Sequence, residues 1–122
     1  MKADVTDFRL KLYPNDFSKV RKFYEEDLGF KVTNEWDRGD SEKGIMFQVG
    51  GATLELLSPK EGYEAIVGAD VSWEVPNIKD LWSKWKGKSN VVFELRNNSW
   101  GETSFCISDP EGFKITFFTK HL

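Results

Sequence analysis

The sequence holds one cysteine and one histidine among its 122 residues. A lone Cys106 excludes an intrachain disulfide and any zinc or iron–sulfur site built from several cysteines. The single histidine, His121, stands one residue from the C-terminal Leu122. It excludes a zinc site of two or three histidines within one chain, and a fraying tail is a poor place for the histidine of a Ser-His-Asp or Cys-His mechanism. Apolar runs are short, far below the roughly 20 residues that span a bilayer, so no membrane partner is expected. The opening MKADVTDF lacks the apolar stretch of a secretory signal, which makes a cytoplasmic location the expectation. A basic surplus is missing as well. Lys and Arg number 17 against 20 Asp and Glu, for a net charge of −3, so no nucleic-acid partner is expected. The Lys-rich stretches Lys19 to Lys22 and Lys79 to Lys88 read as solvated helix faces.

Hydrophobic residues at 39% and charged residues at 30% place the chain among ordinary folded domains rather than disordered segments. Phe8 to Tyr13 alternates, with Phe8, Leu10 and Leu12 on a buried face and Arg9, Lys11 and Tyr13 on the other. Asp16 stands at a helix N-cap, Phe17, Val20, Tyr24 and Leu28 form one apolar stripe with Phe23 beside it, and Gly29 stops the helix. Phe30 to Trp36, Ile45 to Val49 and Ala52 to Leu57 read as strands, separated by the polar loop Asp37 to Gly44 and the Gly50-Gly51 turn. Ser58 to Gly68 reads as a linker. The order then repeats: strand Asp70 to Val75, a helix capped by Asn77 with the stripe Ile78, Leu81, Trp82 and Trp85, and strands Val91 to Arg96, Glu102 to Ser108 and Phe113 to Thr119. Asp109-Pro110-Glu111-Gly112 is turn chemistry. The expectation is an α+β domain of two tandem βαβββ modules, about 6–57 and 70–119 with a linker at 58–69. A curved mixed sheet would surround a cleft, with helices outside.

This arrangement resembles the vicinal oxygen chelate superfamily of glyoxalases, bleomycin-resistance proteins and extradiol dioxygenases. KFYEEDLGF (Lys22 to Phe30) is similar to the family's signature at the end of the first helix. SDPEGFKITFF (Ser108 to Phe118), preceded by Trp100-Gly101, is similar to its DP-x-G turn and last strand. The resemblance runs from about Thr6 to Thr119.

Metal-using members place ligands on the first and fourth strands of each module, and the resemblance carries those positions to Arg9, Glu55, Asp70 and Thr116. Only Glu55 matches the usual His, Gln and Glu set. Arg9 has no lone pair to donate, and Thr116 is a weak ligand. Two carboxylates would suit a hard ion such as magnesium, but an arginine beside them competes for the same charge. No catalytic transition metal and no cofactor are expected. The first and fourth strands of a module should be neighbours, so that Arg9 faces Glu55 across the ladder, either as a pair that fills the vacated metal position or with Arg9 and Lys11 binding an anionic or carbonyl-bearing ligand.

Alternation puts Arg9, Lys11, Glu55, Asp70, Ser72, Glu74, Lys114 and Thr116 on inward, polar faces. Burying charge is costly unless it is paired or wet, so these faces suit a hydrated ligand site. Cys106 shares this side by alternation, as an inert thiol or a nucleophile without a histidine partner. Trp73, Trp82 and Trp85 fall on core faces, whereas Trp36 and Trp100 lie near loops and are candidates for stacking on a ligand. The candidate binding set is therefore Arg9, Lys11, Trp36, Glu55, Asp70, Ser72, Trp100, Cys106, Lys114 and Thr116. Bleomycin-resistance members sequester their drug in a dimer cleft with aromatic and charged walls. The resemblance thus implies a metal-independent protein that captures a polar or aromatic small molecule, such as a drug or toxin, as a homodimer. The alternative is an isomerase, lyase or dioxygenase with an atypical metal site or with Glu55 as general base, a role that a neighbouring guanidinium opposes.

Overall fold

The computed structural model describes residues 2–64 and 67–121. Ala65 and Ile66, within the expected linker, lie outside the described residues. The chain divides into two compact units, Met1–Glu64 and Ala65–Leu122.

The first unit contains β1 (Arg9–Leu12), α1 (Phe17–Lys22), β2 (Lys31–Asp37), β3 (Lys43–Val49) and β4 (Ala52–Leu57). The helix α1 runs on into a π-helical turn, Phe23–Asp27. The sheet order is β1-β4-β3-β2, with β1 parallel to β4 and the remaining pairs antiparallel. Register divides the sheet into two faces. Leu10 lies opposite Leu54 and Leu12 opposite Leu56, and these meet Phe47 and Ile45 on β3. Leu54, Leu56, Ile45 and Phe47 are buried, as are Val20, Phe23 and Tyr24 of the helix. The Tyr24 ring packs near Phe47 and stacks with Phe30. Asp16 caps α1 through a carboxylate that accepts the Lys19 N–H at 3.1 Å. Gly29 turns the chain out of the helix at φ +69°, a conformation that costs glycine little. Arg21 ties α1 to β2 by donating to Glu35 at 2.8 Å and to Glu25 at 3.1 Å.

The second unit repeats this plan with β5 (Asp70–Glu74), α2 (Ile78–Trp85), β6 (Val91–Asn98), β7 (Glu102–Ser108) and β8 (Lys114–Lys120). Its order is β5-β8-β7-β6, with β5 parallel to β8. Val71, Ile115 and Ile107 lie in one cross-strand row, and Trp73, Phe117 and Phe105 in the next. Trp82 of α2 packs on Phe105 with ring centroids 5.1 Å apart, and Trp85 is buried beside Ile78 in the apolar stripe of the helix. The Asp109 turn is held by its own carboxylate, which accepts from the N–H groups of Glu111 at 2.8 Å and Phe113 at 3.0 Å.

Four local expectations change. Phe8 was expected on the buried face but precedes β1 and is 62% exposed. The β1–β4 pairing opens at Arg9 and Thr53, and Phe8 is tied to it only through its carbonyl, which accepts the Thr53 N–H at 3.0 Å. Asn77 occupies the N-cap of α2 without a side-chain bond to the first turn; its carbonyl accepts from Leu81. Lys43 and Gly44, read as loop, begin β3 because they pair with Asp37, Trp36 and Leu57. The tail is also held. The His121 N–H donates to Gly101 O at 2.7 Å, and the imidazole Nε2 hydrogen-bonds Thr103 Oγ1, whose hydroxyl donates to Asn97 Oδ1.

Candidate functional site

In each unit the sheet face away from the apolar row carries the polar residues. On the first unit this face runs through Arg9, Lys11, Thr53, Glu55, Met46 and Gln48. Glu55 is only 6% exposed, and the guanidinium of Arg9 lies 3.9 Å from its carboxylate. The register corrects one expectation. Arg9 stands opposite Thr53, and it is Lys11 that stands opposite Glu55. Arg9 therefore reaches Glu55 diagonally along the parallel ladder, leaving its own side chain half exposed. A buried carboxylate needs such a partner, because burying a charge without one is costly.

The far end of the same face is aromatic. Trp36 stands opposite Gly44, which stands opposite Leu57. The indole lies flat on Gly44, so a Cβ there would overlap Cζ2 and Cε2 of Trp36. Tyr13 follows β1 and meets Tyr63 edge-on, with ring centroids 4.3 Å apart. Lys11 Nζ sits 5.9 Å from the Tyr13 ring centre and Lys60 Nζ 5.0 Å from that of Tyr63. Tyr13, Trp36, Leu57 and Lys60 line a recess of about 290 Å³ with Ser41, Glu42, Lys43, Ser58 and Pro59. The base of the recess is fixed, because the buried Ser58 Oγ accepts the Lys43 N–H at 2.6 Å and the Ser58 N–H donates to Lys43 O at 3.0 Å.

On the second unit, Asp70 stands opposite Lys114 and Ser72 opposite Thr116, with Cys106 next in the Thr116 row and Phe93 beyond it. Cys106 is 3% exposed, and burial pushes its thiol above the ordinary value, against smaller opposing effects from a hydrogen bond with Thr116 and from Lys114. That is the direction of an unreactive thiol. Arg96 stacks over the Phe93 ring at 3.9 Å. Trp100 is 67% exposed at the β6–β7 turn, and its indole N–H donates to Glu102 at 3.0 Å.

The structure thus brings Arg9, Lys11 and Glu55 together, places Trp36 on the same face of the first unit, and brings Asp70, Ser72, Lys114, Thr116 and Cys106 together on the second. Trp100 stands apart from that second group, on a turn. Sequence reasoning passed over Tyr13, Lys60 and Tyr63. Lys60 and Tyr63 fell in a stretch read as linker, and Tyr13 was noted only as one position in an alternation. The available signal was the aromatic and Pro-Lys content of Tyr13-Pro14 and Pro59 to Tyr63, which is unusual for a solvated connection.

The chain belongs to the Glyoxalase/Bleomycin resistance protein/Dioxygenase superfamily, whose sequence model matches residues 8–117. It is 30% identical over 110 residues to the uncharacterized protein YycE of Bacillus subtilis (strain 168), covering 84% of this chain and 79% of that one. Among solved structures it resembles TioX from Micromonospora sp. ML1, with a TM-score of 0.76 at 16% identity over 97% of this chain and 100% of the other. It also resembles a lactoylglutathione lyase from Agrobacterium tumefaciens, with a TM-score of 0.73 at 16% identity over 97% and 95%. Likeness at that identity establishes the fold.

At the positions to which the family resemblance carries metal ligands, Arg9 and Glu55 in the first unit and Asp70 and Thr116 in the second, the side chains present do not fit an ion. Arg9 offers only donors and directs its charge at the carboxylate that would be the ligand, while Thr116 engages Cys106. Among the described residues, no three His, Cys, Asp or Glu side chains are grouped as a metal centre requires. Among the same residues, no helix is long and apolar enough to cross a membrane.

Proposed function

We propose that this protein is a metal-independent small-molecule binding member of its superfamily, and that it captures a polar or aromatic compound, such as a drug or toxin, as a homodimer. One observation carries the reading: the Arg9 guanidinium lies 3.9 Å from the buried Glu55 carboxylate, with Lys11 opposite Glu55 in the strand register, where the family resemblance would put a metal ligand. That geometry supplies fixed opposite charges on a sheet face, suited to orienting a polar ligand rather than to polarising one through a metal. Arg9, Lys11 and Glu55 are the binding residues of the first unit in this reading. Asp70, Ser72, Lys114 and Thr116 are those of the second.

The test is a thermal melt of the purified protein with EDTA, nickel or zinc, followed by a small-molecule screen on the same melt. The expected result is an unchanged midpoint with chelator or metal and a raised midpoint with at least one polar or aromatic compound, since a ligand that binds only the folded state stabilises it. Arg9→Ala should abolish that compound's shift. A midpoint lowered by EDTA and restored by nickel or zinc would overturn the reading and return the search to a metal-dependent catalyst.

A further inference from the structure

We infer that the recess between Tyr13, Trp36, Leu57 and Lys60 is a subsite for a planar aromatic anion, an aryl carboxylate or a compound carrying one. The inference rests on the small-molecule reading above and gives it a ligand class.

The argument begins with the absence of a side chain at Gly44. Because no Cβ rises there, the Trp36 indole lies against the sheet and presents its other face outward. Leu57, next across the ladder from Gly44, continues that surface as an apolar floor. Tyr13 forms the opposite wall, and its ring is held by the edge-on contact with Tyr63. Flat walls held in fixed orientation favour a flat guest, because aromatic stacking depends on ring geometry as well as on area. A volume of about 290 Å³ suits one or two fused rings.

The sign of the guest's charge follows from what already surrounds the rings. An aromatic cage can hold a cation over its faces. Here the protein's own ammonium groups already stand over the two tyrosines, Lys11 over Tyr13 and Lys60 over Tyr63. Lys43 and Lys60 are the two cations of the lining, Lys43 partly engaged by Asp40 at 3.4 Å, and Glu42 is its single acidic residue. A guest bringing a negative group meets Lys60 and Lys43 at the rim without displacing either tyrosine contact. A cationic guest would meet the ammonium groups of Lys43 and Lys60 with Glu42 alone in the lining to offset them. Ser58 supplies no competing polar demand, since its hydroxyl is spent on the backbone of Lys43.

The test uses 1-naphthoate, with 1-naphthylmethylammonium and 1-naphthylmethanol as cationic and neutral counterparts, titrated into the full chain by two-dimensional amide NMR. Naphthoate should shift the Trp36 indole N–H and the amides of Lys43, Leu57 and Lys60, and it should bind more tightly than the cation. Lys60→Gln should weaken naphthoate about three-fold, as for one exposed charge, and leave the alcohol unaffected. Lys19→Gln, an equal charge change on α1, should leave naphthoate binding as it was. Trp36→Ala should weaken it about ten-fold. If that variant fails to fold, Tyr63→Ala, at an exposed ring, should still lower affinity by freeing Tyr13. Equal affinity for the cation, or no shift at Trp36, overturns the inference. Shifts confined to Arg9, Lys11 and Glu55 would also overturn it while leaving the small-molecule reading in place.

Discussion

At the scale of single residues, burial decides chemistry. Cys106 has the nucleophilic atom of many enzymes, yet it sits in the Thr116 row at 3% exposure with its thiol pushed upward by loss of water. It should react with Ellman's reagent in the native protein only as fast as the chain opens, which a comparison of modification and unfolding rates will show. The same shift has a pH signature. The folded state holds this proton more tightly than the unfolded chain, so the associated stability is fully present below the unfolded thiol's value of about 8.5 and is lost as pH rises beyond it. Urea titrations from pH 7 to 10 should show a steeper decline for the natural sequence than for Cys106→Ala. Gly44 makes the complementary case, where a missing atom matters. Gly44→Ala should destabilise the protein by about 1–3 kcal/mol, since the indole must leave its seat. In a Trp36→Ala background the same change should cost far less, and a double-mutant cycle on urea midpoints measures the difference.

At the scale of elements, turns and caps hold the strands to their register. Asp109 is 5% exposed and accepts two backbone N–H groups of its turn. Asp109→Ala should cost about 2 kcal/mol, read from chemical denaturation, because one buried and one part-buried N–H lose a charged acceptor. This turn was legible in the sequence, as was β4, whose bounds match, because alternation and turn residues are local signals. Both helices were legible from their apolar stripes, although the π-helical turn Phe23–Asp27 has no such signature. The faces were legible too, and so the companionship of Arg9, Lys11 and Glu55. The partner of each residue was not, because register depends on where two distant segments lock, and Arg9 proved to stand opposite Thr53. The interruption of pairing between Val32 and Asn34 was hidden for the same reason. The aromatic recess escaped because Tyr13, Trp36, Lys60 and Tyr63 converge only in three dimensions.

At the scale of the whole molecule, one plan is used twice. Each unit places its first strand beside its last, in parallel, and sets its helix residues against one apolar row. The two copies diverge in what decorates the other face: a buried carboxylate paired with Arg9 and an aromatic recess in the first, a hydroxyl-lined row around a thiol in the second. Light scattering on the purified chain should return twice the 14.1 kDa of a single copy if the protein works as the homodimer proposed here. A single-copy mass at micromolar concentration would remove that part of the proposal.

The parallel partnership of first and last strands has a consequence for biosynthesis. While a ribosome is still making the first unit, Arg9 to Leu12 has no neighbour to bond with, because Thr53 to Leu56 comes last. The β2–β3 hairpin can form early, but the opening strand must wait, its backbone groups satisfied by solvent, until the polypeptide has nearly finished that half. Nascent chains arrested before Ala52 should therefore leave residues 9–12 open to protease, and chains extended well past Leu57 should not.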